Sequence, residues 1–161
     1  MAAERGWRQV EHPRLGFRIE LADEFEVRLD TGAAALVAAE REGPPGHLAA
    51  SVVVTVEPLD DLPDWAGRSR DNVLVTLLRG RLIDEGPARQ ADGTPSSRLL
   101  LHYFDRAYGG VALEQRLCEG PRGRYVVSCT CAALGYDDLA DVFDRVASSL
   151  VGVDESVSRQ P

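Results

Sequence analysis

SRLLLHYF at 97–104, VALEQRLC at 111–118, RYVVSCTC at 124–131 and DDLADVFDRVASSL at 137–150 decide the fold. The first three are apolar-rich segments of strand length. They are separated by DRAYGG and EGPRG, whose glycines and proline mark turns. Strands joined by links this short pair antiparallel. In the fourth segment Leu139, Val142, Phe143, Val146, Ala147 and Leu150 recur at helical spacing and form one apolar stripe. Asp137, Asp138 and Asp141 stand in its first turns, where the helix dipole favours negative charge. The closing third of the chain therefore predicts an antiparallel sheet backed by a helix, and it holds no catalytic constellation.

Upstream, Gly16–Leu21 alternates Phe17, Ile19 and Leu21 against Arg18 and Glu20, the pattern of a half-buried strand. Glu26–Leu29 alternates again, Asp30-Thr31-Gly32 reads as a turn, and Ala34–Ala39 is an apolar run. The segment Glu42–Gly46, with two prolines and two glycines, reads as a loop. Ser51–Val56 is nearly all β-branched and reads as a central strand. Asp60 and Asp61 are the expected caps of a helix with Pro63 in its first turn. Leu62, Trp65, Ser69, Val73 and Leu77, with Leu74 and Leu78, carry that helix to a C-cap at Gly80. Gly67 weakens it by about 1 kcal/mol relative to alanine. Arg81–Glu85 starts the next strand and Ala91–Pro95 turns the chain back. Gly152 is expected to end the last helix. The reading gives one domain over residues 1–152 and a polar tail over 153–161.

The bulk numbers narrow the function classes. A net charge of −8 argues against a nucleic-acid surface. All 18 basic residues are arginine, so lysine chemistry is excluded, and the composition fits a GC-rich, actinobacterial-type genome. No run of 18 apolar residues predicts a membrane span. The N-terminal segment has no apolar signal-peptide region. Cys118, Cys129 and Cys131 are too few and odd in number for a disulfide framework, which points to a reducing cytoplasm.

Candidate chemistry is sparse. Cys129 and Cys131 face one way on a strand, yet a second ligand pair for zinc is missing, so they read as core thiols and no metal is expected. Cys118 falls opposite Arg124 or Tyr125 in the hairpin, out of reach of the other two thiols. His102 near Glu114 reads as a cross-strand polar pair, with acid–base work as the alternative. No nucleophile elbow, dinucleotide fingerprint or phosphate loop is present, so neither cofactor nor catalytic residue is expected. Trp65, Tyr103, Tyr108 and His102 are the candidate binding-surface residues, with Tyr108 the best-placed aromatic for an exposed contact.

The segment His12-Pro13-x-Leu15-Gly16-Phe17-x-Ile19-x-Leu21, the strand VVVTVEP at 52–58, and YVVSCTC at 125–131 followed by an acidic helix start together resemble the PsbP-like superfamily. That group includes the extrinsic photosystem protein PsbP, Mog-type Ran-binding factors, DcrB-like proteins and actinobacterial LpqN-like proteins. The resemblance spans roughly residues 7–150 in soft hydrophobic patterns, with no functional residue to carry over. It implies an α+β fold: an α/β/α sandwich around a twisted, mostly antiparallel sheet, with a long central helix and a C-terminal helix. It also implies a non-catalytic protein-binding module, an adaptor or secretion-type chaperone, with a homodimer as one expected assembly. Such a module should expose an apolar patch on the sheet face left uncovered by helix. The alternative is a small-molecule site between sheet and helix, lined by Trp65, Tyr103 and Phe143.

Overall fold

The computed structural model describes residues 4–41 and 46–154. Ten strands and two helices follow in the order β1 (Trp7–His12), β2 (Phe17–Ala22), β3 (Phe25–Thr31), β4 (Ala34–Glu40), β5 (Ser51–Glu57), α1 (Trp65–Thr76), β6 (Arg81–Arg89), β7 (Pro95–Asp105), β8 (Gly109–Gly120), β9 (Gly123–Ala132), α2 (Tyr136–Ser149) and β10 (Val151–Gly152). Seven strands form one sheet in the order β3-β4-β5-β9-β8-β7-β6, and β1-β2-β10 form a second. Every pairing is antiparallel.

The expected hairpin is present in its expected register. Cys118 pairs with Tyr125 and Gly120 with Gly123, leaving Pro121 and Arg122 as the two-residue turn. Ser51–Glu57 is central, between β4 and β9. Alternation then sorts side chains to two faces. On one, Val52, Val54, Tyr125, Val127, Cys129 and Cys131 meet Phe17, Ile19 and Leu21 of β2 and Val142, Phe143, Val146 and Ala147 of α2 in the main core. On the other, Leu99, Leu101, Leu113, Leu117 and Val126 lie beneath Trp65, with Ala66, Val73, Leu74 and Leu77 of α1 beside them. One helix on each face makes the α/β/α sandwich, with the small sheet sharing the α2 side.

Four local expectations are corrected. Helix α1 starts at Trp65 and spans 12 residues; its N-cap is Asp64, not Asp60 or Asp61. The Asp64 carboxylate accepts the Gly67 N–H at 3.2 Å. A Cβ at position 67 would sit 2.1 Å from that carboxylate, so the glycine that weakens the helix also makes room for its cap. At the other end the C-cap is Leu77, and Arg79 rather than Gly80 takes the left-handed conformation, with φ 53°. Gly152 does not end α2, whose C-cap is Leu150, but pairs with Phe17 in β10. Trp7–His12, not expected as a strand, pairs with β2 along its whole length. Of the expected Glu42–Gly46 loop, residues 42–45 lie outside the described residues, as do 155–161 of the expected tail.

Candidate functional site

Twelve residues of α1 cannot roof a seven-stranded sheet. The helix sits over the β7–β8 side, where the cluster under Trp65 is buried. Beyond it the same face continues across β9, β5 and β4. Register places Ser128 beside Val53, Thr130 beside Ser51, Val53 beside Val37 and Ser51 beside Ala39. All of these, with Thr55, are half-exposed, whereas their strand neighbours Val52, Val54, Val127 and Cys129 on the opposite face are buried. The result is an uncharged strip of β-branched, hydroxyl and small side chains three strands wide. At its border Gln115 donates from Nε2 to Ser128 Oγ at 3.0 Å.

Trp65 anchors the start of α1. Its indole N–H donates to Glu57 Oε2 at 2.6 Å, and the Arg124 guanidinium lies 5.2 Å from its ring centroid. Arg124 in turn donates to Asp60 Oδ1 and Glu119 Oε1, both at 2.8 Å. The Arg124 hydrogen bond, and then the Leu62 backbone N–H, hold the Asp60 carboxyl below the ordinary carboxylate value. Next to Trp65 an open cleft of about 450 Å³ is lined by Asp64, Ala66, the Thr94–Ser97 segment, Leu117 and Glu119.

The four sequence candidates do not converge. Trp65 and Tyr103 share the cluster under α1. Phe143 belongs to the core on the opposite face, so Trp65, Tyr103 and Phe143 cannot line one pocket. His102 pairs with Ala112 in β7–β8, and its Nε2 sits 2.9 Å from where a Cβ at Gly110 would be. Tyr108 is exposed at the β7–β8 turn, with its N–H on Asp105 Oδ1 at 3.0 Å.

The His102–Glu114 pair does not form. Glu114 instead accepts Arg98 Nη2 at 2.9 Å and the Tyr136 hydroxyl at 2.6 Å, both at Oε1. Burial, and then this hydrogen bond, push the Tyr136 phenol up to about 12. Two residues along the same face, buried Arg116 donates to Gln90 Oε1 at 3.3 Å and Asp144 Oδ1 at 3.0 Å. Gln90 closes the network by donating to Ala147 O and Leu150 O at the end of α2. These groups fasten α2 to the sheet.

All three cysteines are free and buried. Burial pushes the Cys118 thiol up to about 12 and that of Cys131 to about 11, and drives Cys129 well above its ordinary value. Among the described residues no group of three or more His, Cys, Asp or Glu is arranged to hold a metal. With thiolate formation this costly, the folded chain should give no reaction with a thiol reagent at neutral pH, and three equivalents after denaturation. Mass spectrometry after maleimide labelling checks it; a modified native cysteine would mean that β8 or β9 opens.

No protein-family model matches the sequence, and no curated protein matches it significantly. Solved structures do match in fold. Cyanobacterial PsbP (CyanoP) from Synechocystis sp. PCC 6803 superposes with a TM-score of 0.69 at 14% identity, over 92% of this chain and 94% of that one. LpqN of Mycobacterium tuberculosis, involved in cell envelope biogenesis, gives 0.65 at 13% identity, over 94% and 92%. The Ran-binding protein Mog1p of Saccharomyces cerevisiae gives 0.61 at 15% identity, over 96% and 99%. Identities this low speak for architecture and not for activity. By its near-complete overlap with all three, the chain has the PsbP-like, Mog-type fold.

Proposed function

We propose that the chain is a non-catalytic protein-binding module, an adaptor or secretion-type chaperone, which receives its partner on the sheet strip beyond α1. The observation that carries this reading is the half-exposed run Val37, Val53, Thr55, Ser128 and Thr130 on a face whose other half is buried under Trp65. Uncharged, β-branched surface of this kind loses little on desolvation and gains apolar contact with a partner. A Ran-binding protein among the fold neighbours supports a protein partner. Three buried, unpaired cysteines support a reducing, cytoplasmic setting, and no helix of the described residues is long and apolar enough to cross a membrane.

A partner captured by the native chain should be lost when Val53 becomes glutamate, which places a charge in the middle of the strip, while thermal unfolding shifts little because the position is already half solvated. Retention of that partner by V53E would overturn the assignment of the surface. Sedimentation of the purified chain tells whether the strip is taken by a second copy, the homodimer, or by a different protein.

The cleft beside Trp65 supports a second reading, a small-molecule site. Its volume of about 450 Å³ and its mix of indole, hydroxyl and carboxylate groups suit a small polar ligand. A ligand that raises the melting temperature of the native chain but not of Trp65→Ala would favour the cleft over the strip.

A further inference from the structure

We propose that His12 is a proton-operated latch that ties the β1–β2 turn to the β3–β4 hairpin and, through that turn, to the C-terminal strand. His12 ends β1, is 2% exposed and packs against Phe17, with ring centroids 5.4 Å apart. Its two ring nitrogens have different partners. Nδ1 accepts the Leu15 N–H at 3.0 Å, and Nε2 faces Asp30 Oδ1 at 2.8 Å. An N–H can be received only by a nitrogen with a free lone pair. The ring proton therefore resides on Nε2, and the neutral imidazole donates to Asp30.

The turn so held is a junction. Gly16 N–H donates to His12 O at 3.1 Å, and Val153 N–H donates to Gly16 O at 2.7 Å, extending the β10–β2 pairing. The Tyr125 hydroxyl reaches Leu15 O and Gly16 O at 3.3 Å, and Arg122 Nη2 donates to Arg14 O at 2.6 Å. On the far side Asp30 is held in the left-handed region, with φ 52°, and also takes Arg14 Nη2 at 3.0 Å. The His12 hydrogen bond is the first cause holding the Asp30 carboxyl below its ordinary value.

A proton taken from solvent onto Nδ1 sets two donors, Nδ1–H and Leu15 N–H, against each other at a ring that is only 2% exposed. The charged groups around the ring are Asp30 from β3, Arg14 from the turn, Glu11 from β1 with Arg18 opposite it, and Arg122 from the β8–β9 turn; Tyr125 adds a phenol. Asp30 welcomes the cationic ring and the arginines oppose it. None of them replaces the lost acceptor for Leu15, so the turn must give way and loosen Gly16 and Val153 with it.

Nuclear magnetic resonance on the full chain tests this. The His12 ring nitrogens and the amide protection factors of Leu15, Gly16 and Val153 are followed from about pH 8 to about pH 5. The expected result is the Nε2–H tautomer at the alkaline end, then a loss of Leu15 and Val153 protection of about tenfold or more, with the midpoint of His12 protonation. In His12→Asn the side-chain oxygen takes the Nδ1 place and cannot be protonated, so Leu15 protection should become independent of pH. Two results overturn the latch. One is protonation of His12 with Leu15 still protected; the other is a ring that stays neutral down to the pH at which the whole fold is lost. Both are read on the native chain, so they stand even if the asparagine variant does not fold.

Discussion

Replacing Arg98 with methionine is expected to lower the unfolding free energy by about 3–5 kcal/mol at neutral pH. Methionine keeps much of the aliphatic stem and removes the guanidinium. The Glu114 side chain is 1% exposed and keeps one oxygen, Oε1, on Arg98 and Tyr136; its Oε2 has no partner among the described residues. Without Arg98 the carboxylate must stay buried with a single phenol as donor. The double variant Arg98→Met, Glu114→Gln leaves no buried carboxylate at position 114 and should recover most of the loss. Urea unfolding with unchanged slope measures both. Equal losses in the single and double variants would show that the loss does not come from an uncompensated Glu114 carboxylate.

Trp65→Ala should cost a similar amount, about 3–5 kcal/mol, and should act on one element before the rest. Trp65 and Gly67 are the buried residues of α1, whose remaining contacts come from half-buried Ala66, Val73, Leu74 and Leu77. Truncation removes the indole from above Leu117 and Val126, removes the donor to Glu57 Oε2 and takes away the ring beside Arg124. Amides of α1 should therefore exchange faster than the global loss accounts for, while those of α2 follow the global loss alone. Uniform acceleration across both helices would contradict the view that α1 hangs on its first residue.

Much of this architecture is legible in the chain, for identifiable reasons. The closing hairpin and α2 are regular elements whose apolar spacing, turn residues and acidic first turn agree, and the structure keeps all of them. Strand β1 has no such agreement: Trp7, Gln9 and Glu11 alternate with Arg8, Val10 and His12, and neither set is apolar throughout. Its strand state is imposed by β2. The two residues of β10 carry no local signal at all and are ordered by Arg18 and Phe17. At the head of α1, Asp60, Asp61 and Asp64 are all capping residue types. The one that caps does so from a left-handed conformation, φ 52°, which N-caps seldom adopt.

The candidate surface was harder to see. An exposed apolar patch on the uncovered sheet face follows from the fold, but the run Ser51–Val56 is apolar at nearly every position and hides which side is covered. Only the length of α1 decides that. The Glu114–Arg116 spacing does show that both side chains share a face, yet not that the face is the one closed by α2. That closure turns an apparent surface pair with His102 into a network in which buried Glu114 and Arg116 are held by Arg98, Tyr136, Gln90 and Asp144.

The strip beyond α1 is the proposed seat of the protein partner. Hydrogen exchange of the chain with and without its captured partner tests it directly. The prediction is slowed exchange confined to residues 36–39, 51–55 and 127–130, with α2 and the β7–β8 turn at Tyr108 unchanged. Slowed exchange on the outer face of α2, at that turn or around the Trp65 cleft, with the strip unaffected, would contradict it.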